Sequence, residues 1–128
     1  MSKEIQVIES ILNLQDAMGN LDGDVELMQE ILGVFLEMAP EQLDELGALI
    51  QAGRIPEVAV LANSLKGSAS NFCASRFVDT AGKLERLAKA GSLDGAGELL
   101  QQLRADFAEL RDIQAAIDWE EVVWRWSP

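Results

Sequence analysis

Apolar residues recur every three or four positions along almost the whole chain, and alternating β-branched runs are nearly absent. A period near 3.6 belongs to α-helices that each bury one side, so there is little here from which to build strands. Glycine and proline divide the pattern into segments. Ile5, Ile8, Ile11 and Leu12 set a stripe on a first helix over about 3–18, ended by Gly19 and Asn20. Asp22 or Asp24 caps a second helix, whose stripe is Val25, Met28, Ile31, Leu32 and Phe35. Pro40 has no backbone N–H to donate and marks a kink or a fresh first turn; Leu43, Leu46 and Ile50 carry the stripe to Ala52, and Gly53 ends it. Pro56 suits the first turn of a third helix reaching about Asn71. A fourth covers about 75–90 with Phe77, Leu84 and Leu87 inward and stops at Gly91. The last, about 93–117, holds Leu99, Leu100, Leu103, Phe107, Leu110 and Ile113.

Joints of two to five residues make successive helices antiparallel neighbours. The expected fold is all-α: an up-and-down antiparallel four-helix bundle, with an additional N-terminal helix lying against one end. A length of 128 residues fits one domain over 1–128, with the bundle core at about 21–117 and a tail at 118–128. With 48% hydrophobic and 25% charged residues, the chain can bury enough apolar surface to offset the chain entropy lost on folding. No internal repeat, low-complexity tract or long linker interrupts it.

Composition removes several kinds of function. Twenty-two acidic against 10 basic residues leave a net charge of −12, so a polyanion is repelled over most of the surface and nucleic acid is not expected as a partner. Lys83, Arg86 and Lys89 stand at helical spacing and read either as a solvated face or as a docking patch. The absence of histidine excludes imidazole as base, nucleophile or ligand, and the single Cys73 can build neither a disulfide nor a Cys/His zinc site. Asp22 and Asp24 lack the ligand spacing of a calcium loop and suit helix capping, so no metal and no cofactor is expected. The opening stretch MSKEIQVIES has no long apolar core or small-residue cleavage site, and no apolar run approaches the roughly 18 residues of a membrane span. A cytoplasmic protein without membrane association is the expectation. Trp119, Trp124 and Trp126 crowd the tail, where they either cover apolar surface at the bundle's edge or anchor a partner.

The third helix carries the functional question. On a helical wheel Val58, Leu61, Leu65, Ala69 and Phe72 gather on one side as core, and Ala59, Asn63, Lys66, Gly67 and Ser70 gather on the other. Asn63 faces outward, with Lys66 and Gly67 one turn on and Ser70 two turns on. Alanine, glycine and serine keep this strip low, so another protein can approach the backbone closely. Glycine in an exposed helix interior costs about 1 kcal/mol relative to alanine. Gly67 therefore marks either a place made for a partner or a locally weak surface helix, and spacing alone does not separate the two.

The segment LANSLKGSASNFCA resembles the motif of histidine-containing phosphotransfer (HPt) domains: a histidine, any residue, Leu-Lys-Gly, small polar residues and a Gly-Ala pair. Leu65, Lys66, Gly67, Ser68 and Ala74 match; Asn63 stands where the phosphoacceptor histidine would be, and Cys73 where glycine is usual. DGDVELMQEILGVFLEMAPEQLDEL is similar to the family's preceding helix and LERLAKAGSLDGAGELLQQL to its last two, so the resemblance covers about 21–117. It implies a four-helix bundle in a two-component phosphorelay, with a response-regulator receiver domain or a sensor histidine kinase as partner. It also implies that Lys66 holds phosphoryl oxygens electrostatically.

Asparagine changes what such a site can do. An imidazole nitrogen has a free lone pair near neutral pH, whereas the amide nitrogen of Asn63 has its lone pair delocalised into the carbonyl. Phosphoryl transfer through Asn63 is not expected, so the chain is not expected to act as an enzyme. Ser64, Ser68 and Ser70 have hydroxyls but no general base in their own segment, and a lysine nucleophile at Lys66 would need burial. Cys73 beside Phe72 reads as a small buried hydrophobe or a thiol. The expectation is an HPt-like docking or regulatory module that contacts its partner through Ala59, Asn63, Ser64, Lys66, Gly67 and Ser70. Two alternatives stand beside it: a relay protein in which Asn63 was put in place of the acceptor histidine, and a helical scaffold or dimerisation module using the tryptophan tail.

Overall fold

The computed structural model describes residues 24–71 and 74–117, which form four α-helices and no strand. The helices are α1 (Val25–Gln51), α2 (Ile55–Ser70), α3 (Ser75–Lys89) and α4 (Ala96–Ala116). The helix expected over 3–18, the tryptophan tail, Phe72 and Cys73 lie outside the described residues.

Each helix packs on its chain neighbours, and α1 also packs on α4, which closes a ring of four. Side-chain pairs show the antiparallel sense. Arg76 and Thr80 on α3 meet Glu109 and Asp106 on α4, while Asp44 and Gly47 on α1 meet Arg104 and Leu100 on α4; as one number rises its partner falls. The expected all-α bundle is what the chain forms. Its core contains Met28, Leu32, Leu43, Leu46, Val58, Leu65, Phe77, Leu84, Leu103 and Leu110, all nearly inaccessible to solvent. Phe35 meets Phe77 edge to face with ring centroids 5.5 Å apart, a favoured aromatic geometry that ties α1 to α3. The α2–α3 contact is the most extensive, because Ala62, Ala69, Ala81 and Ala88 let the two backbones approach.

The helix ends follow local chemistry. Asp24 is the N-cap of α1, its Oδ1 accepting from the Leu27 N–H at 2.9 Å. Gly53 and Gly91, with φ of 69° and 83°, turn the chain after α1 and α3 in the left-handed region that glycine enters without steric cost.

Sequence expectation and structure differ at several points. No fresh first turn begins at Pro40, since α1 runs unbroken from Val25 to Gln51. Proline removes one N–H, but Ala39, Leu43 and Leu46 on the same buried stripe hold the helix together across that point. The last helix begins at Ala96 instead of about 93, because Gly95 adopts φ 86° and the residues before it form a turn. On α2 the fully buried line is Val58, Ala62, Leu65 and Ala69; Leu61 sits half-buried on the flank. The central place goes to Ala62 because the close α2–α3 contact needs a small residue there. Leu87, expected inward, is likewise half-buried at the core's margin, as are Leu99, Leu100 and Ile113.

Candidate functional site

Helix α2 starts cleanly because Pro56 lies within its first turn, where the missing N–H has no intrahelical partner to lose. Its buried line fixes the helix rotation, and at about 100° per residue Val60 and Gly67 then point most directly away from the bundle. Asn63 and Ser70 lean from that direction towards α3, and Ser64 leans towards α1; all three are exposed. Ala59 and Lys66 turn further towards α3 and are half-buried.

Gly67 has open space above it: a Cβ placed there would meet nothing within 4 Å. Its backbone is ordinary right-handed helix, so neither packing nor conformation within the described residues requires glycine. Ser70 donates its hydroxyl hydrogen to the Gly67 carbonyl at 2.7 Å, which commits that hydroxyl to its own helix. The Asn63 amide makes no side-chain hydrogen bond among the described residues.

Lys66 does not project freely. Its stem crosses Gly82 on α3, where an added Cβ would lie 3.7 Å from Lys66 Cδ, and its Nζ reaches Glu85 Oε1 at 2.6 Å. Lys89, one turn on from Glu85, takes Oε2 at 3.0 Å. Glu85 is 5% exposed, a carboxylate held at the helix interface by one lysine on each oxygen. The hydrogen bond from Lys66, and after it that from Lys89, holds the Glu85 carboxyl below the usual glutamate range despite its burial. A carboxylate committed this way is a weak base, so it does not supply the general base that the serines lack in their own segment. Lys83, Arg86 and Lys89 are all exposed, and Lys89 also pairs with Glu85.

Sequence reasoning missed two features of this surface. Glu85 has no signal in the α2 segment, because it arrives from α3 by tertiary packing. Val60 is 71% exposed and stands one turn before Asn63 and Ser64; the sequence reading left it out of the outward strip, although the 100° step that turns Asn63 outward sets Val60 there as well. Beside Val60, Leu49, Pro56 and Leu61 line a shallow apolar depression that also touches Ser64. Among the described residues no group of three or more potential metal ligands comes together, and no helix is long and apolar enough to cross a membrane.

A family model for the Hpt domain matches residues 30–113, a span that contains α2 and α3 whole and most of α1 and α4. No curated protein and no solved structure matches the chain.

Proposed function

The chain belongs to the Hpt domain family, and from that premise we propose that it is a docking or regulatory member of a phosphorelay that does not itself accept phosphate. Membership places the chain in phosphorelay signalling, where Hpt domains are phosphotransfer modules that meet response-regulator receivers and kinases. The finer reading rests on one observation: Asn63, which the resemblance puts at the acceptor position, is exposed beside the bare backbone of Gly67. An amide offers hydrogen-bond donors and an acceptor but no nucleophilic lone pair at neutral pH.

The docking face consists of Asn63, Ser64, Gly67 and Ser70, with Val60 as an apolar contact and Lys66 and Ala59 at the edge towards α3. Lys66, although held by Glu85, keeps 36% of its side chain exposed and faces a partner's acidic groups as one end of a fixed ion pair. Binding without transfer would alter the relay by occupying a receiver or kinase surface.

The test is titration of the full chain with candidate receivers, in free and phosphorylated form. Saturable binding to a receiver, lost in Gly67→Trp, with no acid-labile phosphate appearing on this protein, supports the reading. Absence of binding to every receiver and kinase of the system, or covalent phosphate on the unaltered chain, overturns it.

A further inference from the structure

The two helices that flank α2 carry opposite charge. Helix α1 has six carboxylates and no lysine or arginine. Helix α3 has Arg76, Lys83, Arg86 and Lys89 against Asp79 and Glu85, which makes it the one described helix with an excess of cations in a chain of net charge −12. Helix α2 repeats the division, with Glu57 on its α1 side and Lys66 on its α3 side. Several of these charges are already matched: Glu57 accepts from Arg54 at 3.0 Å, and Lys66 and Lys89 share Glu85. Glu45 and Arg86 are not. Both are exposed, and neither has an ion pair or a side-chain hydrogen bond among the described residues.

Each of the two stands at one edge of the docking face. Glu45 borders the apolar depression of about 510 Å³ with Leu49, Pro56, Val60, Leu61 and Ser64. Arg86 Nη1 lies over Gly82, 3.3 Å from where an added Cβ would stand, and Lys66 Cδ is 3.7 Å from the same point. The missing side chain of Gly82 thus lets the guanidinium settle beside the stem of Lys66, one turn on from Asn63. One carboxylate, Glu85, faces three cations there, so this edge stays positive while the Glu45 edge is negative.

Resting on the docking reading, we propose that the face is keyed by charge across α2: the partner seats a lysine or arginine on Val60 and Leu61 with its head at Glu45, and sets a carboxylate against Arg86. A long cationic side chain buries its methylenes on an apolar wall and keeps its charge at the rim. A guanidinium holds a carboxylate through two parallel N–H bonds, which fixes angle as well as position. A partner turned half a circle on the face meets like charge at both edges and is rejected, although Val60 and the Asn63 amide would accept it either way. A second copy related by a twofold axis along α2 would also match Glu45 to Arg86, but its own net charge of −12 repels it.

The test is titration of a receiver that binds the wild-type chain, using Glu45→Arg, Arg86→Glu and the double variant. Glu98→Arg, exposed on α4 across the bundle from α2, controls for net charge. Each single change at the face should weaken binding about tenfold, and Glu98→Arg should shift it less than about twofold. The double variant restores the net charge to −12, yet it should bind about a hundredfold more weakly. A double variant that binds like wild type means that only net charge matters and overturns the proposal. So do single variants that bind like wild type while Gly67→Trp does not bind. An Arg86→Glu penalty confined to the phosphorylated receiver assigns the anion to a phosphoryl group and overturns the carboxylate. Self-association of the chain that the single variants abolish and the double variant restores assigns the keyed face to a second copy, which also overturns it. A wild-type chain that binds no receiver and no kinase overturns the docking reading and this inference together, a result distinct from all of these.

Discussion

The Lys66 ammonium on α2 lies 2.6 Å from Oε1 of Glu85 on α3, and Lys66 stands one turn on from the exposed Asn63. The contact joins the two most extensively packed helices and sets the direction in which the Lys66 charge points. Because Glu85 is nearly buried and its other oxygen is held by Lys89, removing the carboxylate releases two cations at once.

Acid should therefore weaken the fold through Glu85. Its folded carboxyl titrates below the usual glutamate range, so its stabilising contribution is fully present above that range and is lost as pH falls towards the folded value. Chemical denaturation of wild type and Glu85→Gln at a series of pH values is the measurement. The variant should be less stable near neutrality, with the gap closing as pH drops through the glutamate range. A gap that stays constant with pH would mean the ion pair contributes nothing through its charge.

Gly67→Ala should raise stability by about 1 kcal/mol, because it restores helix propensity at an exposed position where the added methyl meets nothing. The same change should not strengthen receiver binding, since it raises the surface that the partner approaches. Denaturation and titration on the same variant separate the two effects. An unchanged stability would point to a strained or partly covered position, contrary to the open space above Gly67.

Asn63→His should convert the protein into a phosphate acceptor. Position 63 is exposed and its neighbours leave room for an imidazole, which supplies the lone pair that the amide lacks. Incubation with a phosphorylated receiver and scoring of acid-labile phosphate gives the readout. Wild type should remain unlabelled. If the Asn63→His variant also stays unlabelled, the surrounding surface has lost more than its nucleophile.

Thr80→Val should cost about 1–3 kcal/mol at equilibrium. Asp106 is 3% exposed and accepts from the Thr80 hydroxyl at 2.9 Å and from Gln102 Nε2 at 2.8 Å. The isosteric change removes one of these donors and leaves a buried carboxylate oxygen under-satisfied, with little loss of volume. Thermal or denaturant unfolding checks it, and Asp44→Ala, which breaks the exposed Arg104 pair, should stay below about 1 kcal/mol as a comparison.

The helical period and the stops at Gly53 and Gly91 were legible in the sequence because they depend on residues within a few positions of one another. The same is true of the Asp24 cap and of the outward position of Asn63. Of the two outcomes that Pro40 suggested, a kink or a fresh first turn, the fresh turn does not form because a buried stripe continues on both sides of the proline. Leu61 and Ala62 were exchanged because a wheel ranks positions by hydrophobicity alone, whereas the space between α2 and α3 admits the smaller side chain. Lys66 stood outward on the wheel and turned out half-buried for a related reason: its partner, nineteen positions away, lies on another helix.

Sequence by itself therefore determined that this chain builds antiparallel helices and turns the amide of Asn63 outward; both follow from side-chain chemistry and from turns of known pitch. Tertiary structure decided which carboxylate binds Lys66, which small residues let α2 and α3 close together, and which charges flank α2 on either side. Those outcomes depend on distances between helices, and such distances are set only when all four stripes compete for one interior.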